Sequence, residues 1–324
     1  MFSILVTSLT PGSGKTSTAL TVASDQQEKG KKISFIKPVI NGLPGSNTIF
    51  TSDVVILKQL LQLPEPAETL SPNIPDAGSL KIVLKSLLTT TLSGKDVVII
   101  ESPFRDLKLN REIADFIQAR ILGVEGFQHD LSDSIHQYRG LGNCLVGVIV
   151  NKVPATRINE IKKITFNSGL KMVGIIPEER TLIGLTVHEL ADGINGKITN
   201  DCHHPEDFIE NFMVGVLDPD HESEYYTRKK NKVVILGSDR ADMQLSALET
   251  PLMCLVLAGP KAPVPVVMNR AEARQVPMVL VNRGVSEVIA ELEGIFNKNV
   301  FSERKTSRTL NIFRQYLNLD ILDH

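Results

Sequence analysis

Short apolar runs alternate along this chain with longer stretches whose apolar residues recur at helical spacing, the pattern of a parallel sheet covered by helices. In the first part, Ile4 to Thr7, Ile33 to Ile36, Val97 to Ile100, Ile121 to Val124, Val146 to Val150 and Met172 to Ile175 are predicted strands. Helices are expected to start near Gly14, Asp53, Ser79, Arg111, Leu131 and Ile158. Together they make one α/β domain over residues 1–195. A polar stretch rich in Asn, Gly, Asp and His, from Gly193 to Glu206, then interrupts the alternation and marks residues 196–217 as a linker. The alternation restarts on a smaller scale. Strands are expected at Lys232 to Leu236, Met253 to Leu257 and Met278 to Val281, with helices at Arg240 to Leu248, Val266 to Gln275 and Val285 to Phe296. This is a second, compact α/β domain over residues 218–300. Residues 301–324 hold a terminal packing helix, Thr306 to Leu319, with Leu310, Ile312, Phe313, Tyr316 and Leu317 as its apolar positions.

A length of 324 residues is long for one core and agrees with two domains. The net charge of −2 provides no general attraction to nucleic acid or an anionic membrane, and Arg228-Lys229-Lys230 reads as a solvated face. No apolar stretch approaches the roughly 20 residues that span a bilayer. The N-terminus runs straight into a strand pattern, so neither a signal peptide nor a membrane partner is expected, and a cytoplasmic location is. Cys144 and Cys254 sit in apolar runs and read as buried thiols. Cys202 stands in Asp201-Cys202-His203-His204, but adjacent residues seldom converge on one ion and a fourth ligand is not evident.

The strongest chemical signal is Ser8-Leu9-Thr10-Pro11-Gly12-Ser13-Gly14-Lys15-Thr16, between the first strand and the first helix. Backbone N–H groups of such a loop point inward and the helix start adds partial positive charge, so phosphates are stabilised there. Pro11, Gly12, Ser13, Gly14, Lys15, Thr16 and Ser17 are the candidate nucleotide-binding residues. Lys15 would reach the outer phosphates and Thr16 would hold Mg²⁺. One position departs from the usual P-loop pattern: Leu9 stands where a glycine is expected. The run Asp96-Val97-Val98-Ile99-Ile100-Glu101 ends in an acid at the carboxyl edge of a strand and matches the acidic partner of a P-loop.

With Phe35-Ile36-Lys37-Pro38-Val39 added, the chain resembles dethiobiotin synthetase, a P-loop α/β enzyme whose second strand also ends in a Lys-Pro-Val run. The resemblance implies ATP and Mg²⁺ as cofactors, Lys37 and Lys15 as catalytic residues beside the transferred phosphate, and Thr16, Asp53 and Glu101 as metal ligands. It also implies an adenine contact at Asn151, within Gly147-Val148-Ile149-Val150-Asn151-Lys152-Val153. The later runs Val173-Gly174-Ile175-Ile176-Pro177-Glu178 and Thr186-Val187-His188-Glu189-Leu190 resemble the synthetase-like N-terminal region of long bacterial phosphate acetyltransferases and its stand-alone relatives. The run from Val233 to Glu249, containing Gly237-Ser238-Asp239-Arg240-Ala241-Asp242, resembles a DRTGG domain, which implies regulation or self-association. Asp239 and Arg240 could bind a small anion, or cap a helix and pair locally.

Ser102-Pro103-Phe104-Arg105 replaces the glycine-rich run of dethiobiotin synthetase and argues against diaminopelargonate as substrate. Nor is acetyl transfer by this chain alone expected. The first expectation is a Mg²⁺-ATP-binding regulatory or sensory protein of acetyl metabolism, a homodimer that contacts a metabolic enzyme. The alternatives are an ATP-dependent ligase that activates a carboxylate or carbamate, as dethiobiotin and cobyrinic acid diamide synthases do, and a scaffold in which the loop survives only as fold.

Overall fold

The computed structural model describes residues 1–324 apart from 41–51, 129, 180–183, 201–207, 216–221, 298–304 and 324. Cys202, His203 and His204 lie outside the described residues. Two compact units emerge: Met1–Glu178 together with Phe301–His324, and Glu179–Val300. The boundary therefore falls ahead of residue 195, and the C-terminal segment belongs to the first unit and not to a separate tail.

In the first unit the described strands are β1 (Phe2–Thr7), β2 (Ile33–Ile36), β3 (Val39–Ile40), β4 (Asn73–Ile74), β5 (Val97–Glu101), β6 (Arg120–Gly126), β7 (Leu145–Val153) and β8 (Met172–Pro177). Six of them form one sheet in the order β2-β5-β1-β6-β7-β8, and every pairing in it is parallel. The chain leaves β1 toward β2 on one side and leaves β5 toward β6 on the other. The carboxyl ends of β1 and β5 therefore stand at a reversal of strand order, where open α/β sheets place their ligands.

Alternation along the strands directs Leu5, Ile36, Val98, Ile100, Ile121 and Val148 into one cluster with Leu80, Leu84 and Leu88 of the helix Ala77–Thr89 and Ile113 and Ala114 of the helix Leu107–Ile117. The latter helix starts four residues before the expected Arg111, because the Asp106 carboxylate accepts from the N–H groups of Lys108 and Leu109. The short parallel pair β3 and β4 was not expected from the sequence, since two residues are too few to show a period.

The helix Thr306–Tyr316 and the residues just after it pack into this unit at two places. Arg314 donates to Ser24 Oγ at 2.8 Å and to Glu28, both on the first helix, Lys15–Glu28. Asn318 N donates to Val173 O at 2.7 Å on β8. Gly174 is required there, because a Cβ would fall 2.3 Å from Tyr316 O. Phe313 is 2% exposed, and a Cβ added at Gly14 would lie 3.9 Å from its ring.

The second unit holds β9 (Lys197–Ile198), β10 (Asn211–Val214), β11 (Lys232–Gly237), β12 (Cys254–Ala258) and β13 (Met278–Val281). Their order is β10-β11-β12-β13-β9, parallel except for the antiparallel edge strand β9. Residues 196–217, expected as a linker, thus supply both edges of this sheet. Their strands are too short and too polar at the flanks to read as strands. Thr186-Val187-His188-Glu189 also belongs here: Thr186 and Glu189 form a capping box for the helix Val187–Gly193. Arg240 pairs with Asp242 at 3.0 Å on an exposed surface, in line with local pairing.

Replacing Phe313 by Ala should destabilise the first unit by about 3–5 kcal/mol. Urea unfolding followed by a probe placed in that unit measures this. An unchanged midpoint would mean that the C-terminal helix does not contribute to that core.

Candidate nucleotide site

The loop from Ser8 to Gly14 leaves β1 and opens into the helix Lys15–Glu28. Gly12 has φ 63° and Gly14 has φ 99°, conformations that other residues adopt only under strain. Gly14 also leaves room for Asn151, whose Nδ2 would be 2.3 Å from an added Cβ.

The first half of the loop is held by a group the sequence reading missed. Glu125, near the end of β6, is fully buried. Its carboxylate accepts from Leu9 N at 2.7 Å, Thr10 Oγ1 at 2.8 Å and Tyr138 Oη at 2.5 Å. Three donors on one buried carboxylate compensate its lost hydration, and burial followed by the Glu125 charge pushes the Tyr138 hydroxyl well above its ordinary value. Gly123 permits this arrangement, since a Cβ there would meet the Tyr138 ring at 2.4 Å. So Leu9, in the place of the expected glycine, has its amide taken up by a carboxylate. The available signal was a lone acid inside the apolar run Ile121-Leu122-Gly123-Val124-Glu125.

The second half of the loop is held by β7. Asn151 Nδ2 donates to Ser13 O at 2.9 Å, and Lys152 Nζ donates to Gly12 O at 2.8 Å. Asn151, the residue expected to contact adenine, here binds the loop's own backbone.

Four predicted residues come together at the carboxyl edges of β2 and β5. Lys37 Nζ lies 2.5 Å from Asp53 Oδ2, 3.4 Å from Glu101 Oε1 and 3.2 Å from Thr16 Oγ1. Thr16 donates to Glu101 Oε2 at 2.9 Å. The placement of Lys37 is set by its backbone, whose N–H donates to Leu70 O at 2.7 Å and whose carbonyl accepts from Ser71 Oγ at 3.0 Å. Asp53 sits in the first turn of the helix Ser52–Leu60, anchored by buried Val54 and Leu57.

Lys15 Nζ donates to Ser8 Oγ at 3.1 Å. Burial holds its ammonium below the ordinary lysine value; Glu101 opposes this, and Lys37 and Arg105 add to it. A cation disfavoured by its own surroundings is one that an incoming anion stabilises. For Lys37, burial acts in the same downward direction, but Glu101 and Asp53 outweigh it and raise the ammonium above the ordinary value.

The residues after Glu101 are fixed as well. Ser102 donates to Asn110 and accepts from Phe104 N at 3.1 Å, while Asn110 Nδ2 reaches Thr7 Oγ1 at 2.8 Å. Among the described residues no group of three or more His, Cys, Asp and Glu is placed to hold a metal. One hydroxyl and two carboxylates next to a phosphate loop suit Mg²⁺, which takes few protein ligands and completes its shell from phosphate and water.

Gly14→Ala should remove phosphate binding, through strain at positive φ and collision with Asn151, and Tyr138→Phe should lower stability by about 1–2 kcal/mol. Nucleotide titration and urea unfolding of the two variants check this; a Gly14→Ala protein that binds normally would contradict the loop geometry.

A family model described as an AAA domain matches residues 3–186, and one described as a DRTGG domain matches residues 189–295. A phosphate acetyltransferase of Synechocystis sp. is 22% identical over 317 residues, covering 87% of this chain. The chain spans 45% of that relative's length. Distant resemblances of fold include the MinD cell division protein of Aquifex aeolicus (17% identity, 56% of this chain and 84% of that one, TM-score 0.38). Another is the signal recognition particle protein of Aeropyrum pernix in complex with GDP (18% identity, 54% and 41%, TM-score 0.41). A third is the CBS and DRTGG region of a Clostridium perfringens pyrophosphatase complexed with diadenosine tetraphosphate (11% identity, 46% and 71%, TM-score 0.32). The chain belongs to the AAA domain family, with a P-loop in that domain and a DRTGG domain behind it, a pair that fits the N-terminal region of phosphate acetyltransferases.

Proposed function

We propose that this chain binds Mg²⁺-ATP at the carboxyl edge of its first sheet and acts as a nucleotide-responsive regulatory module of acetyl metabolism. The observation that carries this is the convergence of Thr16, Lys37, Asp53 and Glu101 beside Lys15. Thr16, Asp53 and Glu101 would hold Mg²⁺, which would supply charge neutralisation at the outer phosphates. Backbone amides of residues 12 to 16 and the start of the first helix receive the phosphates, and Lys15 adds a charge whose empty-site burial is unfavourable. The adenine contact that the resemblance implies for Asn151 would be made from beside the loop, where its amide donates to Ser13 O.

The regulatory part of the reading rests on the domain pair and on the relative it fits. In this reading the second domain joins two copies of the chain and presents the pair to a metabolic enzyme in the cytoplasm. A ligase reading has one observation in its favour. Lys37 stands among the metal-type oxygens and contacts Thr16 at the end of the loop, within reach of a place where an ammonium would stabilise a phosphoryl group in transfer. The two readings part on turnover: a regulator holds ATP without substrate-stimulated ADP release, whereas a ligase releases ADP when its carboxylate or carbamate precursor is supplied.

Calorimetric titration should detect Mg²⁺-ATP binding, weakened on the order of a hundredfold by Lys15→Ala and strongly by metal chelation. No heat of binding at millimolar nucleotide would remove the proposal.

A further inference from the structure

The Lys37 ammonium occupies the place that a metal ion would take. Its three neighbours, Asp53 Oδ2, Glu101 Oε1 and Thr16 Oγ1, are the oxygens assigned above to Mg²⁺. Mg²⁺ binds oxygen at about 2.0–2.1 Å and requires near-octahedral access to it. An ammonium lodged at 2.5 Å from Asp53 and 3.2 Å from Thr16 denies that access. Metal and ammonium exclude each other sterically and by charge.

From this we infer that Lys37 is an internal counterion which Mg²⁺ replaces only when a polyphosphate arrives with it. The inference rests on the nucleotide-site reading and adds to it a rule for the order of loading. Without a ligand, Lys37 neutralises carboxylates that are themselves largely buried, with Glu101 only 8% exposed at its side chain. Without the lysine, two acids would face each other across a partly desolvated space, a costly arrangement. A bare divalent ion gains the carboxylates but must displace an ammonium that already repels Lys15, with no anion there to receive it, and that opposes loading. A triphosphate changes the balance, because the expelled Lys37 then meets an anion. The pinned backbone at Lys37 keeps the root of the side chain fixed, so the change is a swing of the four-carbon stem and not a movement of β2. The site thereby rejects free metal and accepts the metal–nucleotide pair.

The test uses Mn²⁺ alone, read by electron paramagnetic resonance on the nucleotide-free full chain, so it does not depend on turnover. Lys37→Gln should bind Mn²⁺ about tenfold or more tightly than the unmodified chain, and Lys37→Arg, which keeps the charge, should not. Thermal melting without nucleotide provides a second readout. Mn²⁺ should raise the melting temperature of Lys37→Gln and leave that of the unmodified chain unchanged. Equal Mn²⁺ affinities in the three proteins, or a destabilised Lys37→Gln that Mn²⁺ fails to restore, would overturn the inference. Absence of ATP binding in the unmodified chain is a separate result: it would remove the nucleotide reading while the metal-only comparison still decides whether Lys37 excludes a cation.

Discussion

Charge at the carboxyl edge of the first sheet has to be balanced locally, because Lys37, Asp53 and Glu101 are mostly withdrawn from water. Lys37 holds both carboxylates, and Thr16 links Lys37 and Glu101 to the phosphate loop. Removing one partner from such a cluster leaves the remaining charges without compensation, at a cost of about 3–5 kcal/mol where burial is deep. The cluster is balanced as an ammonium with two carboxylates; in the proposed loaded state a metal with phosphates would take the place of that ammonium.

The fold delivers this cluster by strand order. β2 and β5 are neighbours and β5 pairs with β1, so the residues after their carboxyl ends share one edge. Lys37 follows β2, Glu101 ends β5, and Thr16 follows the loop from β1. Two further strands hold the loop from its other side. Glu125 of β6 takes up the amide of Leu9, and Asn151 of β7 takes up the carbonyl of Ser13. A phosphate loop without its usual first glycine is thus kept in place by a buried carboxylate that a tyrosine supports.

Much of this was legible in the sequence because the signals were local. The strands of the first sheet are apolar runs of four or more residues, and the loop carries its glycines at fixed offsets. Glu101 was legible as the acid that ends an apolar strand, whereas Lys37 and Asp53 could be assigned only through resemblance, since nothing local states that residues 16, 37, 53 and 101 meet. What escaped was either short or distant. Strands β3, β4 and β9 have two residues each, and β10 has four with polar flanks, so residues 196–217 read as a linker. The Glu125–Leu9 bond spans 116 positions, and a single acid in an apolar run does not name its partner. The C-terminal helix was expected, but its return to the first unit was not, because an amphipathic stripe does not identify the surface that covers it.

The most direct measurement is a crystal structure of the chain with Mg²⁺ and a non-hydrolysable ATP analogue. Phosphates are expected against the amides of residues 12 to 16, a metal on Thr16, Asp53 and Glu101, and a Lys37 side chain turned to the terminal phosphate. A nucleotide seated elsewhere, or a metal bound while Lys37 still contacts Asp53 and Glu101, would contradict it.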